Sequence, residues 1–196
     1  MIIAITDRTI SRAPFTEQVE AIASARPDMI ILREKDLPEK EYERLAKECL
    51  RICDRHSIRF CVNSFISVAV ALGSERIQLP FSILLNNKDR LKYFKDVWTS
   101  VHSLSEAKEA EKMGVTHLIY GNVFETSCKP GAEGKGVREL KKICGSVNIP
   151  VFAVGGIDAG AIGEVIGTGC KGVCVRGPLM EAEDPHTVMR MLRCDL

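Results

Sequence analysis

Residues 121–136 bring an acid, a hydroxyl and a cation into one glycine-rich stretch. Glu125, Thr126 and Lys129 lie among Gly121, Gly131, Gly134 and Gly136. Glycine lets the backbone approach a ligand closely or take positive φ. The apolar run 116–120 before this stretch reads as a buried strand, and 137–144 after it as a short amphipathic helix. A long polar loop at the carboxyl end of a strand is where an α/β protein usually keeps its active site.

The elements that would position this loop recur along the chain. Short apolar runs at 2–6, 29–32, 60–63, 76–79, 97–100, 117–120, 151–154 and 172–175 alternate with helix-like stretches. Most runs are continuously apolar, as strands buried on both faces are. This alternation predicts a (β/α)8 TIM barrel forming a single domain over residues 1–196. A doubly wound open sheet is the alternative, but no Gly-x-Gly-x-x-Gly follows the first run. Residues 39–56 place Tyr42, Leu45, Ala46, Cys49 and Cys53 on one helical stripe. Ser103 and Glu106 have the spacing of a capping box, and Asp158 can cap a helix over 159–166. Asp184 before Pro185 starts a last helix, with Val188, Met191 and Leu192 predicted to face inward.

In a barrel, the residues just after each strand share one mouth. These are Thr6, Asp7 and Arg8; Arg33, Glu34 and Lys35; Asn63 and Ser64; Ser100 and His102; Asn122, Glu125, Thr126 and Lys129; Gly155 and Gly156; Arg176 and Gly177. The last two loops of such barrels often bind phosphate through backbone N–H groups. Gly155, Gly156, Arg176, Gly177 and Lys129 suit that role, whereas a plain reading makes Gly155-Gly156 a tight turn. Arg33 and Lys35 alternate along an extended segment, so both can face an anion. The competing reading pairs Arg33 with Glu34 or Asp36. His102 is the histidine at a strand end, as an acid/base or as a structural hydrogen-bonding group.

Composition narrows the function class. A net charge of +1 over 196 residues offers no global field for nucleic acid or an anionic membrane. The basic run 88–95 reads as a solvated helix face. No apolar run approaches the ~20 residues of a membrane span, and residues 1–7 read as a strand rather than a signal peptide, so a cytoplasmic location is expected. The 8 cysteines then stay mostly reduced, and their spacing matches no zinc or thioredoxin pattern.

In order and spacing, Ile5-Thr6-Asp7, Leu32 to Lys35, Val62-Asn63, Ser100 to His102, Gly121 to Gly136 and Ala153 to Ile157 together resemble the thiamine phosphate synthase/TenI superfamily over nearly the whole chain. The resemblance implies a (β/α)8 barrel handling thiazole phosphate in thiamin biosynthesis. Its synthases join aminopyrimidine pyrophosphate to thiazole phosphate with Mg²⁺. Arg33 and Lys35 match their pyrophosphate-binding pair, and Asn63 matches the next motif. Their metal-binding aspartates do not match: one position is Ser64, and the other is missing from 78–82. Ile31 stands where a glutamine is usual, and Cys128 replaces the second threonine of a motif that retains Thr126 and Lys129.

The loop from Gly121 is closer to the TenI branch, which isomerises a thiazole carboxylate phosphate to its aromatic tautomer by proton transfer. The position of that branch's acid/base histidine is Asn122, which can orient a substrate but not exchange a proton near neutral pH. The resemblance therefore implies a thiazole tautomerase. Phosphate would sit on Gly155, Gly156, Arg176 and Gly177. Lys129 would meet a carboxylate or phosphate oxygen, oriented by Thr126. His102, or less directly Glu125, would be the acid/base. A synthase with a relocated metal site and a non-catalytic thiazole or thiamin phosphate binder are the alternatives. No cofactor is expected outside the synthase case. The expected partner is a small molecule, and a homo-oligomer is compatible with everything above.

Overall fold

The computed structural model describes residues 1–126 and 133–194. Eight strands run in chain order: β1 (Ile2–Ile5), β2 (Met29–Leu32), β3 (Arg59–Asn63), β4 (Arg76–Pro80), β5 (Asp96–Val101), β6 (His117–Gly121), β7 (Val151–Val154) and β8 (Gly172–Val175). Each pairs in parallel with the next, and β8 pairs with β1, closing a barrel. The predicted strands hold to within a residue or two, and the open-sheet alternative falls.

Alternation along each strand divides the apolar residues between two environments. Ile3, Ile5, Met29, Ile31, Cys61, Ile119 and Cys174 point into the barrel with Trp98 and Phe152. Ile2, Ala4, Ile30, Leu32, Phe60 and Val62 face the surrounding helices. Burial on both faces is why the runs are continuously apolar. Near the amino ends of the strands, the Trp98 ring stacks on His117 (centroids 4.0 Å apart, planes 5° apart) and tilts against Phe152 at 4.7 Å. The barrel is packed at this end, leaving the carboxyl ends of the strands to form a cavity.

The outer layer comprises α1 (Phe15–Ser24), α2 (Glu39–His56), α3 (Ile66–Ala71), α4 (Phe81–Leu85), α5 (Leu104–Lys112), α6 (Gly136–Cys144), α7 (Ile162–Ile166), α8 (Gly177–Met180) and α9 (Pro185–Arg193). In α2 the buried stripe is Tyr42, Ala46, Cys49, Ile52 and Cys53, with Leu45 at its margin. At α5 the Ser103 hydroxyl accepts from the Glu106 N–H, while the Glu106 carboxylate takes the N–H of His102, one residue before the cap. Asp158 caps a single 3-10 turn before α7, so the expected helix over 159–166 is shorter. The expectation for α9 needs correcting. Pro185, Met189 and Leu192 are buried, whereas Met191 is 53% exposed. The buried residues follow the i, i+4, i+7 stripe from Pro185, and Met191, two residues beyond Met189, falls on the far side.

Cys49, Cys53, Cys61, Cys170 and Cys174 are buried and unpaired. Burial pushes their thiols up, that of Cys53 to about 12, so they pack as neutral apolar groups. Cys128 lies outside the described residues. Among those described, no helix is long and apolar enough to cross a membrane.

One helix-to-barrel contact directly serves the cavity. The Tyr42 hydroxyl donates to the Leu32 carbonyl at 2.6 Å and accepts the Asn63 N–H at 2.9 Å, linking the carboxyl ends of β2 and β3. Tyr42→Phe would leave both backbone groups unpaired in the core. The expected loss is about 1–3 kcal/mol in urea unfolding; an unchanged midpoint would contradict this role.

Candidate active site

The strand ends open into one cavity of about 790 Å³. Arg33, Lys35, Asn63, Ser100, His102, Asn122, Glu125, Thr126, Gly155, Gly156, Arg176 and Gly177 line it, whereas Thr6, Asp7, Arg8, Glu34 and Ser64 from the predicted mouth do not. Lys129 lies outside the described residues, and its predicted contact with them.

At the end of β2 the extended backbone turns Arg33 and Lys35 toward the cavity and Glu34 away from it. Glu34, 2% exposed, accepts from Thr6 Oγ1 at 2.7 Å and from the Arg8 N–H at 3.0 Å. Thr6 Oγ1 in turn accepts the Arg33 N–H at 2.9 Å. Asp36 holds the Arg8 guanidinium through both oxygens, at 3.2 and 2.6 Å. Both carboxylates considered as partners for Arg33 are thus engaged by other residues.

At the ends of β7 and β8, the glycines prove necessary for two reasons at once. Gly155 and Gly156 have φ of +103° and +64°. A Cβ on Gly155 would lie 2.5 Å from Asn122 Cβ, and one on Gly156 would lie 2.3 Å from the Glu125 carbonyl oxygen. Their bareness lets the loop after β6 pair against β7, with Val123 N–H on Val154 O and Phe124 N–H on Gly155 O. The same glycines line the cavity. The N–H groups of Gly156 and Gly177 donate to no acceptor among the described residues. The glycines make the tight turn and also line the cavity. The Arg176 guanidinium sits on Asp7 at 3.1 Å, both side chains mostly buried, which joins β8 to β1 at the cavity edge.

The Asn122 side chain is 6% exposed, and its amide donates to the carbonyls of Phe124 and Glu133, both at 3.3 Å. It pins the two limbs of the loop together and holds no exchangeable acid/base proton. Glu125 and Thr126 follow on the cavity wall. His102 Nδ1 lies 2.6 Å from the Gly121 carbonyl oxygen. A carbonyl only accepts, so Nδ1 carries the hydrogen and Nε2 is the acceptor in the neutral ring.

Across β3, β4 and β5 runs a ladder of neutral groups: Ser64 hydroxyl to Asn63, Asn63 amide to Gln78, Gln78 amide to Ser100. Gln78 was not foreseen as a site residue. Its signal is legible in hindsight: it is the one polar side chain between Ile77 and Leu79, and it is 4% exposed. Asp7, expected at the mouth, holds Arg176 there, a pairing that only the closed barrel makes.

The synthases' Mg²⁺ calls for hard oxygen donors, chiefly carboxylates. Ser64 stands where the resemblance places one aspartate and donates to Asn63, and no cluster of three metal-binding side chains occurs among the described residues. The residues present do not fit that ion.

Burial holds the Glu34 carboxyl above its ordinary 4.5, against the hydrogen bonds from Thr6 and Arg8 that act the other way. The folded state therefore keeps a proton that the unfolded chain has already lost. Stability falls as pH rises from 4.5 through the raised value, and the penalty is complete above it. Urea unfolding of Glu34→Gln should gain on the native protein across that window; parallel pH curves would contradict it.

Comparison with known proteins agrees with the geometry. The family described as thiamine monophosphate synthase matches residues 2–179. A thiamine-phosphate synthase of Pyrococcus furiosus is 34% identical over 190 residues, 96% of this chain and 91% of that protein. One from Clostridium acetobutylicum is 30% identical, covering 91% of this chain and 86% of its own length. The solved thiamine phosphate pyrophosphorylase of Pyrococcus furiosus superposes with a TM-score of 0.86 at 32% identity, covering 99% of this chain and 94% of that one. With its closed barrel, its cavity at the strand ends and relatives along nearly its full length, this chain belongs to the thiamine monophosphate synthase/TenI family.

Proposed function

We propose that this chain is an enzyme of thiamin biosynthesis that joins an aminopyrimidine diphosphate to a thiazole phosphate. The observation that carries the reading is the presence of two places for an anion in one cavity. Arg33 and Lys35 line it at the end of β2; Gly156, Gly177 and Arg176 line it at the ends of β7 and β8. Two phosphorylated substrates need two such places. The relatives reported above are named as synthases, which favours this reading over the tautomerase expected from the loop.

In the coupling, the bond from the pyrimidine methylene to the diphosphate breaks as the thiazole takes the methylene. Pyrophosphate leaves with the bonding electrons. Arg33 can hold its oxygens bidentately while Lys35 adds a point charge, so negative charge is met where it develops. The glycine amides and Arg176 hold the monophosphate, fixing the thiazole for attack.

A second reading, proton transfer on a thiazole carboxylate phosphate, is favoured by one observation. His102 is locked by Gly121 into the tautomer whose Nε2 accepts a proton. That chemistry requires no metal.

Incubating both coupling substrates with the protein should yield thiamin phosphate above a protein-free blank. Arg33→Ala should lower kcat/KM by about 10- to 100-fold, the worth of one charge-assisted hydrogen bond. No product beside an active control synthase removes the first reading. For the second, NMR of the thiazole tautomer is the measurement. His102→Asn retains a donor to Gly121 and deletes Nε2, so turnover should drop about 10²- to 10⁴-fold. A native rate equal to buffer disposes of the isomerase.

A further inference from the structure

The ladder at the ends of β3, β4 and β5 has a direction, and carbonyl groups set it. The Gln78 side chain contacts the Leu79 carbonyl at 3.1 Å, and a carbonyl can only accept. Its amide nitrogen must therefore face Leu79, and the second hydrogen of that nitrogen goes to Ser100 Oγ at 2.9 Å. The Asn63 amide nitrogen likewise faces the Gln78 carbonyl at 3.3 Å, and its other hydrogen goes to Gln78 Oε1. Ser64 Oγ closes the far end by donating to Asn63 Oδ1 at 2.9 Å. Every amide hydrogen of Asn63 and Gln78 is used, and each amide oxygen already accepts one.

Two consequences follow. Ser100 Oγ, having accepted from Gln78, keeps its own hydrogen to donate, and Ser100 lines the cavity. A hard cation at this place would need several oxygen ligands, chiefly carboxylates, but the ladder holds no carboxylate: it offers two neutral amide oxygens, each already accepting one hydrogen bond, and its amide groups turn N–H hydrogens toward their neighbours. The ladder lies in a region where Asn63 and Gln78 are 2% and 4% exposed, so displacing its hydrogen bonds to make room for an ion would be costly.

We infer that this cavity binds phosphate and diphosphate groups without a divalent cation, with the Ser64–Asn63–Gln78–Ser100 ladder in place of an oxygen cage and the Ser100 hydroxyl donating to the ligand. Arg33, Lys35 and Arg176 supply the positive charge. The inference rests on the phosphate-ester reading of the cavity and adds that recognition is metal-free.

Calorimetric titration of the full chain with inorganic pyrophosphate, and separately with inorganic phosphate, tests it. Each titration is run in EDTA and in Mg²⁺, with free ligand corrected for magnesium complexation. The two affinities should agree within about threefold. Ser100→Ala should weaken binding in EDTA by about 10- to 100-fold, the loss of one hydrogen bond to a charged group. Mn²⁺ added with phosphate should give no protein-dependent enhancement of water-proton relaxation. Tightening of about tenfold or more in Mg²⁺, or a relaxation enhancement, overturns metal-free recognition and leaves the phosphate-ester reading standing. Unchanged affinity in Ser100→Ala overturns the donor role. Binding of neither anion in either condition overturns both.

Discussion

Pairing of β8 with β1 is the constraint on which the cavity depends. Ile2, Ile3 and Ala4 register against Val173, Cys174 and Val175, and the parallel sheet closes on itself. Because all ladders are parallel, every strand delivers its carboxyl end to the same rim. Closure brings Asp7 and Arg176 into contact across 169 positions of sequence. The interior behind the rim is filled by Trp98, Phe152, Met29 and the isoleucines, so the cavity has a packed floor and opens in one direction. An open sheet with the same eight strands would leave β1 and β8 on opposite edges and separate Asp7 from Arg176.

On that rim, polar contacts serve orientation more than stability. Exposed ion pairs such as Arg8–Asp36 are worth roughly 0–1 kcal/mol. What they do is hold side chains in place. Asp36 and Glu34 engage Arg8, Thr6 fixes the backbone of Arg33, and Asp7 holds Arg176 at the edge. Glu34 is the costly member, since its charge is buried among neutral donors. Its two hydrogen bonds join the first two strand ends, next to Arg33 and Lys35 on the cavity wall.

The neutral ladder and the pinned loop are departures from the family pattern that the surrounding structure accommodates. Asn122 stands at the position of the expected histidine and spends its amide on the carbonyls of Phe124 and Glu133. Ser64 stands where the resemblance places a carboxylate, and it is tied through Asn63 and Gln78 to Ser100. In both places a chemically active group is replaced by a hydrogen-bonded network. Buried polar groups are costly when unpaired, so such replacements persist when every member finds a partner.

The strands, their order, the barrel and nearly the whole rim were legible in the sequence. Burial on both faces produces apolar runs, and the rim residues follow directly from where those runs stop. Helix faces were less legible. Met191 was read as inward because hydrophobicity alone does not fix the phase of a short helix, whereas packing selected Pro185, Met189 and Leu192. Gln78 was overlooked because a single polar residue inside a strand has no meaning until its cross-strand neighbours are known. Sequence by itself determined the parallel barrel and the types of group offered to a ligand, since period and composition are local. Only the tertiary structure decided which groups are engaged by one another, that Ser100 Oγ accepts from Gln78 and which nitrogen of His102 accepts. Those properties belong to contacts between strands far apart in the chain, and hydrogen-bond direction exists only once both partners are in place.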